Sequence, residues 1–235
     1  MIRFVLPVAL LFSALTAAAQ TEPCQAHITP IPFSGKHLTV PVGAHLPKGA
    51  FIRFEYPLQD GYTLLLYSVP DDFPLSHYGD RGIQLIHNNQ SAGDYPLRSL
   101  SVMRGEDADN FEALSVAQIC SGDKPDYFIA FGYRGDITSG DLFVSMVPTG
   151  DGYRLTPLPI VAGGVLELSK SDPLLLRTWN NLFEGSCNAC PTRYGITEFK
   201  LVEGIPQKFR SYRTRKLYGS DDALFDDRLR IHLSK

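Results

Sequence analysis

Two cysteines, Cys187 and Cys190, stand two residues apart in "GSCNACPTRY". That spacing serves thiol-redox pairs, halves of zinc sites, haem attachment and local disulfides. A redox pair needs a helix after the motif to stabilise the thiolate. Here "PTRYGITEFKLVEG" follows, which reads as a strand entering a hairpin. Haem attachment needs a histidine where Pro191 stands. A structural zinc needs four ligands, and the other cysteines, Cys24 and Cys120, are remote and form no second CxxC. The reading adopted is a structural disulfide that tightens the loop between Trp179 and Tyr194. A thiol-redox pair and a metal site are the alternatives. Four cysteines allow three pairings, of which Cys187 with Cys190 and Cys24 with Cys120 is the most local.

Other residues offer recognition rather than bond-making chemistry. Trp179, with Arg193 and Tyr194, would form a face that stacks on a sugar or holds a peptide; packing in an aromatic core is the plainer use. Asp71, Asp72 and His77 share the loop "VPDDFPLSHYGD", where acids and histidines are common in any case. The basic run from Lys208 to Lys216 precedes the acidic "DDALFDD". This reads as a solvated edge strand balanced by the next loop, with an anion patch or calcium loop as the alternative. There is no G-x-S-x-G elbow, no H-E-x-x-H and no phosphate-binding glycine loop. Carboxylate pairs for glycoside hydrolysis meet only in three dimensions.

The chain opens "MIRFVLPVALLFSALTAAAQ". One base, an apolar run and an Ala-x-Ala order predict a signal peptide over residues 1–19. The run is shorter than the roughly 20 residues of a membrane span, and no later stretch is long or apolar enough for one. The expectation is therefore a secreted or periplasmic protein with no membrane span. Loss of the leader removes Arg3 and takes the formal net charge from −3 to about −4. That mild balance argues against nucleic acid as a partner. Residues 20–235 suffice for one domain with a real core. All four cysteines lie in this exported part, where an even count favours disulfides.

No amphipathic helix is evident after residue 19. Short apolar or alternating runs recur between Gly, Pro, Asp and Asn, in three sets of four. The sets occupy approximately 50–104, 111–161 and 163–217. They read "FIRFEYPL", "YTLLLYSV", "GIQLIHNN", "YPLRSLSV"; then "FEALSVAQI", "DYFIAFGY", "DLFVSMV", "YRLTPLPIV"; then "GVLELSK", "PLLLRTWN", "YGITEFKLV", "PQKFRSYRTRKL". The second run of each set is the most apolar, as for a strand covered on both faces. The polar "NQSAGD", "PTGDG" and "EGIP" predict hairpin turns between third and fourth runs. The last run has no clean apolar face and many bases, the mark of a protected edge strand.

Repeated four-stranded meanders suggest propeller blades. "CSGDKPDYFIAFGYRGDITSGDLFVS", residues 120–145, resembles an FG-GAP-type repeat, and "QDGYTLLLYS" and "KSDPLLLRTW" echo it in the other sets. The resemblance implies a propeller-like all-β fold that recognises protein or carbohydrate through loops at one end of the blades. It also implies calcium in the turn, at Asp123 and Asp126, although Ile119, Cys120 and Ser121 replace the leading acids of the pattern. Three blades are fewer than the usual four to eight. "KHLTVPVG" and "RLRIHLS" are expected to supply a partial blade, with an open arc or a β-sandwich as the alternatives. The functional expectation is an exported, non-catalytic binding module without a cofactor, calcium being the one alternative. A secreted hydrolase of a glycan or cell-wall polymer and a thiol-redox accessory protein are the competing readings.

Overall fold

A computed structural model describes residues 24–32, 37–69, 80–100, 111–120, 124–133, 141–158, 166–169, 175–182, 192–202, 205–218 and 231–234. In chain order these form β1 (His27–Pro30), β2 (Phe51–Pro57), β3 (Tyr62–Ser68), β4 (Asp80–His87), β5 (Gln90–Pro96) and a single helical turn α1 (Leu97–Leu100). Next come β6 (Phe111–Cys120), β7 (Pro125–Tyr133), β8 (Asp141–Thr149) and β9 (Gly152–Pro157). The last elements are β10 (Leu166–Ser169), β11 (Leu175–Asn181), β12 (Tyr194–Val202), β13 (Ile205–Arg213) and β14 (Ile231–Ser234). The fold is all-β, as the alternating runs predicted.

The strands make three sheets. Sheet I has the order β2-β3-β4-β5, sheet II β1-β6-β7-β8-β9, and sheet III β13-β12-β11-β10-β14. Each set of four runs gives one sheet of sequential neighbours, paired antiparallel. The second run of each set lies inside its sheet, with a paired strand on either edge. Side chains alternate between faces along a strand. In β3, Leu64 and Leu66 enter the core shared with sheet II, while Leu65 joins Ile52 and Ile86 beneath the loop residues Ala44 and Leu46. In β7, Tyr127, Ile129 and Phe131 face sheet I, while Phe128 and Ala130 face Leu166, Leu168, Phe199 and Ile231 of sheet III. Sheet II is thus the middle layer of a face-to-face stack. Complete burial of each such Leu, Ile or Phe stabilises the fold by roughly 1.5–3 kcal/mol.

Several elements differ from the sequence reading. The fourth strand of sheet I is "QSAGDYP", and "LRSL" of the run "YPLRSLSV" turns helical with Leu97 and Leu100 buried. The polar "NQSAGD" was expected to be the turn, but only Asn88 and Asn89 turn, both with positive φ (50° and 62°). A two-residue hairpin of this kind lets the strand resume at once. "KHLTVPVG" and "RLRIHLS" do not combine into a partial blade. Leu38 makes one bridge to Ile52 at the edge of sheet I, and β14 runs parallel to β10 in sheet III. The short β1 pairs with β6 and went unread. A disulfide between Cys24 and Cys120 fastens it there.

The remaining runs hold strands. β13 is the terminal strand of sheet III among the described residues, exposed at nearly every position, as its bases and its Pro206 led one to expect. Among the described residues no helix is long and apolar enough to cross a membrane.

Candidate functional site

Sheets I and II end together where β3, β7 and β9 begin and β4 and β8 finish. Between these ends lies a cleft of about 190 Å³, lined among others by Asp60, Tyr62, His87, Lys124, Gly152 and Tyr153. Its geometry follows from two tight turns. Asp60 has φ 57°, a left-handed conformation that Asp tolerates better than most residues, and Gly61 follows with φ 74°. Gly150 and Asp151 close the β8–β9 hairpin, and Gly152 opens β9 at φ 145°. Each turn then delivers a tyrosine, Tyr62 or Tyr153. The Tyr62 hydroxyl donates to the Asp151 carbonyl at 3.2 Å, joining the turns across the two sheets.

Aromatic rings continue inward from this cleft. Tyr62 stacks on His87 with ring centroids 4.0 Å apart and planes 5° from parallel. It meets Tyr153 edge-on at 5.3 Å. Tyr153 meets Tyr127, and Tyr127 meets Tyr56, also edge-on. His27 of β1 ends the file, its Nε2 lying 2.9 Å from the Tyr56 hydroxyl. Burial pushes the Tyr127 phenol up to about 12, and burial with the nearby Tyr127 and Asp60 raises Tyr153 further. These phenols stay neutral at ordinary pH and serve as packing, whereas Tyr62 and His87 sit half-buried at the rim.

Lys124 and Asp60 form an exposed ion pair across the cleft mouth. Lys124 comes from the "SGDKPD" turn in which the FG-GAP resemblance placed calcium. Asp126 of that turn is buried on β7, and Asp123 lies outside the described residues. No group of three or more potential metal ligands occurs among the described residues. Among the described residues the cleft therefore offers three aromatic rings, one carboxylate, one ammonium and turn carbonyls. Asp60 is the one carboxylate that lines it among the described residues.

A second constellation lies on sheet III. Phe199 faces sheet II, so Glu198 points to the opposite face. Register sets Arg177 of β11 and Arg210 of β13 on either side of Glu198. Its carboxylate is fully buried beneath them. Arg177 contacts Oε1 through Nε at 3.0 Å and a terminal nitrogen at 2.8 Å, the Tyr212 hydroxyl donates to Oε1 at 3.0 Å, and Arg210 donates to Oε2. Burial pushes this carboxyl up, and the hydrogen bonds from Arg210, Arg177 and Tyr212 more than reverse it, so it titrates below the usual glutamate range. Beside this cluster Lys200 lies 4.0 Å over the Phe209 ring, and Arg210 lies over the rings of both Phe209 and Tyr212.

Three of the residues proposed from sequence, Trp179, Arg193 and Tyr194, lie on or beside β11 and β12 of this sheet. Trp179 occupies the register position opposite Ile196, and Asn181 that opposite Tyr194. Tyr194 is buried and packs edge-on against Tyr218 at 5.7 Å. Arg193 is half-buried, and its carbonyl accepts from Leu182 N–H. Cys187 and Cys190 lie outside the described residues, as do Asp71, Asp72 and His77.

Sequence reasoning missed Asp60, Tyr62, His87, Lys124 and Tyr153. A signal was present: the tripeptide Asp-Gly-Tyr occurs at 60–62 and again at 151–153. Both copies line the cleft or brace it. No protein-family model matches the chain, and neither a curated protein nor a solved structure matches it.

Proposed function

We propose that this chain is an exported, non-catalytic binding module, and that it takes a polar ring of about one sugar unit in the cleft between sheets I and II. The observation that carries this reading is the pair of Asp-Gly-Tyr turns. They set the stacked Tyr62 and His87 beside the Asp60–Lys124 pair at the strand ends of two adjacent sheets. Stacked aromatics accept the apolar face of a sugar ring, and the charged pair and turn carbonyls answer its hydroxyls. The cleft, at about 190 Å³, is smaller than the roughly 300–1,000 Å³ of sites for drug-sized ligands, which fits one ring.

The propeller-like reading belongs to the same proposal. Three sheets of sequential strands pack in series, and each has an extra segment beside its first strand: Leu38 on β2, β1 on β6, β14 on β10. Blades in an open arc would be built this way, with ligand loops gathered at one end, as FG-GAP repeats imply. Export is supported by the leader and by the Cys24–Cys120 disulfide.

The test is nuclear magnetic resonance of the exported chain titrated with a panel of mono- and disaccharides. A saturable shift of the Tyr62 and His87 ring signals is expected with at least one sugar. It should vanish in Tyr62→Ala and weaken in Asp60→Asn, with unchanged circular dichroism. If no sugar in the panel moves those rings, the reading fails.

A further inference from the structure

We propose that the outer edge of β13 is a docking strand for an extended acidic segment of a partner protein, which would add to sheet III beside it. From Ile205 to Tyr218 the chain carries Lys208, Arg210, Arg213, Arg215 and Lys216 and no acid, in a protein of net charge −3. Five bases thus gather along one strand and the turn after it. Glu198 neutralises part of the Arg210 and Arg177 charge from beneath. Lys208, Arg215 and Lys216 extend the field along the exposed strand and the turn after it.

The backbone supplies the other half of the site. Residues of an antiparallel strand alternate in which side their N–H and C=O groups serve, and among the described residues β13 pairs with β12 alone, along one side. Pro206 has no N–H, so pairing would start from Lys208 onward. Phe209 and Tyr212 stand 52% and 40% exposed within this stretch. Each ring lies near Arg210, and Lys200 lies over Phe209, so each ring is held close to a cation. Exposed aromatics beside bases make anchors for a strand carrying carboxylates and small side chains.

The same charges choose the partner. Two copies of β13 laid edge to edge would oppose base to base, which blocks self-pairing. An acidic strand meets the complementary field and escapes this repulsion. The edge is therefore closed to its own kind and open to an acidic strand, which is recognition by strand addition.

The probe is a fluorescein-labelled nine-residue peptide alternating Glu and Thr, measured by anisotropy against the exported chain at low salt. Its comparisons are the same peptide with backbone N-methyl groups, the Lys–Thr version, and a heparin oligosaccharide. Saturable binding of the Glu–Thr peptide is expected. It should weaken as salt rises and fall about tenfold in the exposed double variant Lys208→Glu/Arg215→Glu, about 1.4 kcal/mol at the interface. The N-methylated and Lys–Thr peptides should not bind. Absence of Glu–Thr binding, equal binding of either comparison peptide, or capture of heparin alone would each overturn the proposal. The peptide comparisons use the unaltered protein, so they decide even if the double variant folds poorly.

Discussion

Glu198 shows how one residue can hold a sheet face together and carry a pH signature. Its carboxylate is fully buried, yet it receives donors from Arg177, Arg210 and Tyr212. Glu198→Gln keeps the shape and removes the charge. We expect a loss of about 2 kcal/mol at neutral pH, below the usual cost of breaking a buried pair because both arginines remain partly exposed. The pH sign follows from the depressed carboxyl. Its stabilisation is complete above the ordinary glutamate range and is lost as pH falls through the lower folded value. Urea unfolding of both proteins from pH 7 to pH 3 checks this: the gap should close on the acid side, and a gap independent of pH would refute the assignment. None of this was legible beforehand, because the three strands meet at Glu198 only through their register. The cleft residues were within reach, since the repeated Asp-Gly-Tyr marks both turns. A search for catalytic spacing passes over a repeat whose chemistry is recognition.

At the scale of elements, the apolar runs located the strands because burial on two faces leaves little room for polar residues. "YGITEFKLV" coincides with β12 residue for residue. The fourth strand of sheet I was misread for the opposite reason. "QSAGDYP" is mostly exposed and carries almost no apolar signal, while the apolar Leu97 and Leu100 belong to the helical turn after it. What holds the neighbouring strand in place is a glycine. Gly82 of β4 lies opposite Tyr67 of β3, and the Tyr67 ring covers it so closely that an added Cβ would strike the ring. Tyr67 is buried and its hydroxyl donates to Asp94 of β5 at 3.2 Å, so the ring spans three strands. Gly82→Ala should therefore expel or tilt the ring and destabilise by about 2 kcal/mol, in the range of overpacked cores. Thermal unfolding reads the loss, and near-ultraviolet circular dichroism reads the displaced tyrosine. An alanine variant as stable as the parent, with an unchanged tyrosine signal, would show that the ring is free to move.

For the whole molecule, the three sets of runs were enough to anticipate three sheets, and the order of the sheets along the chain is their order in the stack. Which segments would add to which sheet was not legible, because β1 and β14 have four residues each and their partners lie far away in sequence. The Cys24–Cys120 bond resolves this for β1. It joins residues 96 apart, and the loop it closes contains the whole of sheet I. A closed loop of about 100 residues is worth roughly 4.7 kcal/mol in the chain-entropy account, and measured losses run about 2–5 kcal/mol. β1 in turn sets Ile31 into the core shared by sheets I and II, brings His27 to Tyr56, and lies against β14. Loss of the bond should therefore loosen the contact among all three sheets, beyond fraying one end. We expect Cys24→Ser/Cys120→Ser to lower stability by about 3–4 kcal/mol, and the melting temperature by roughly 10 °C for a chain of this size. Hydrogen exchange should quicken in β1 and β14 together, while β3 and β7 keep their protection relative to global unfolding. The same result should follow when the unaltered protein is reduced. A double-serine variant that melts with the parent and keeps β1 protected would mean that strand pairing and Ile31 hold the N-terminal segment without the bond.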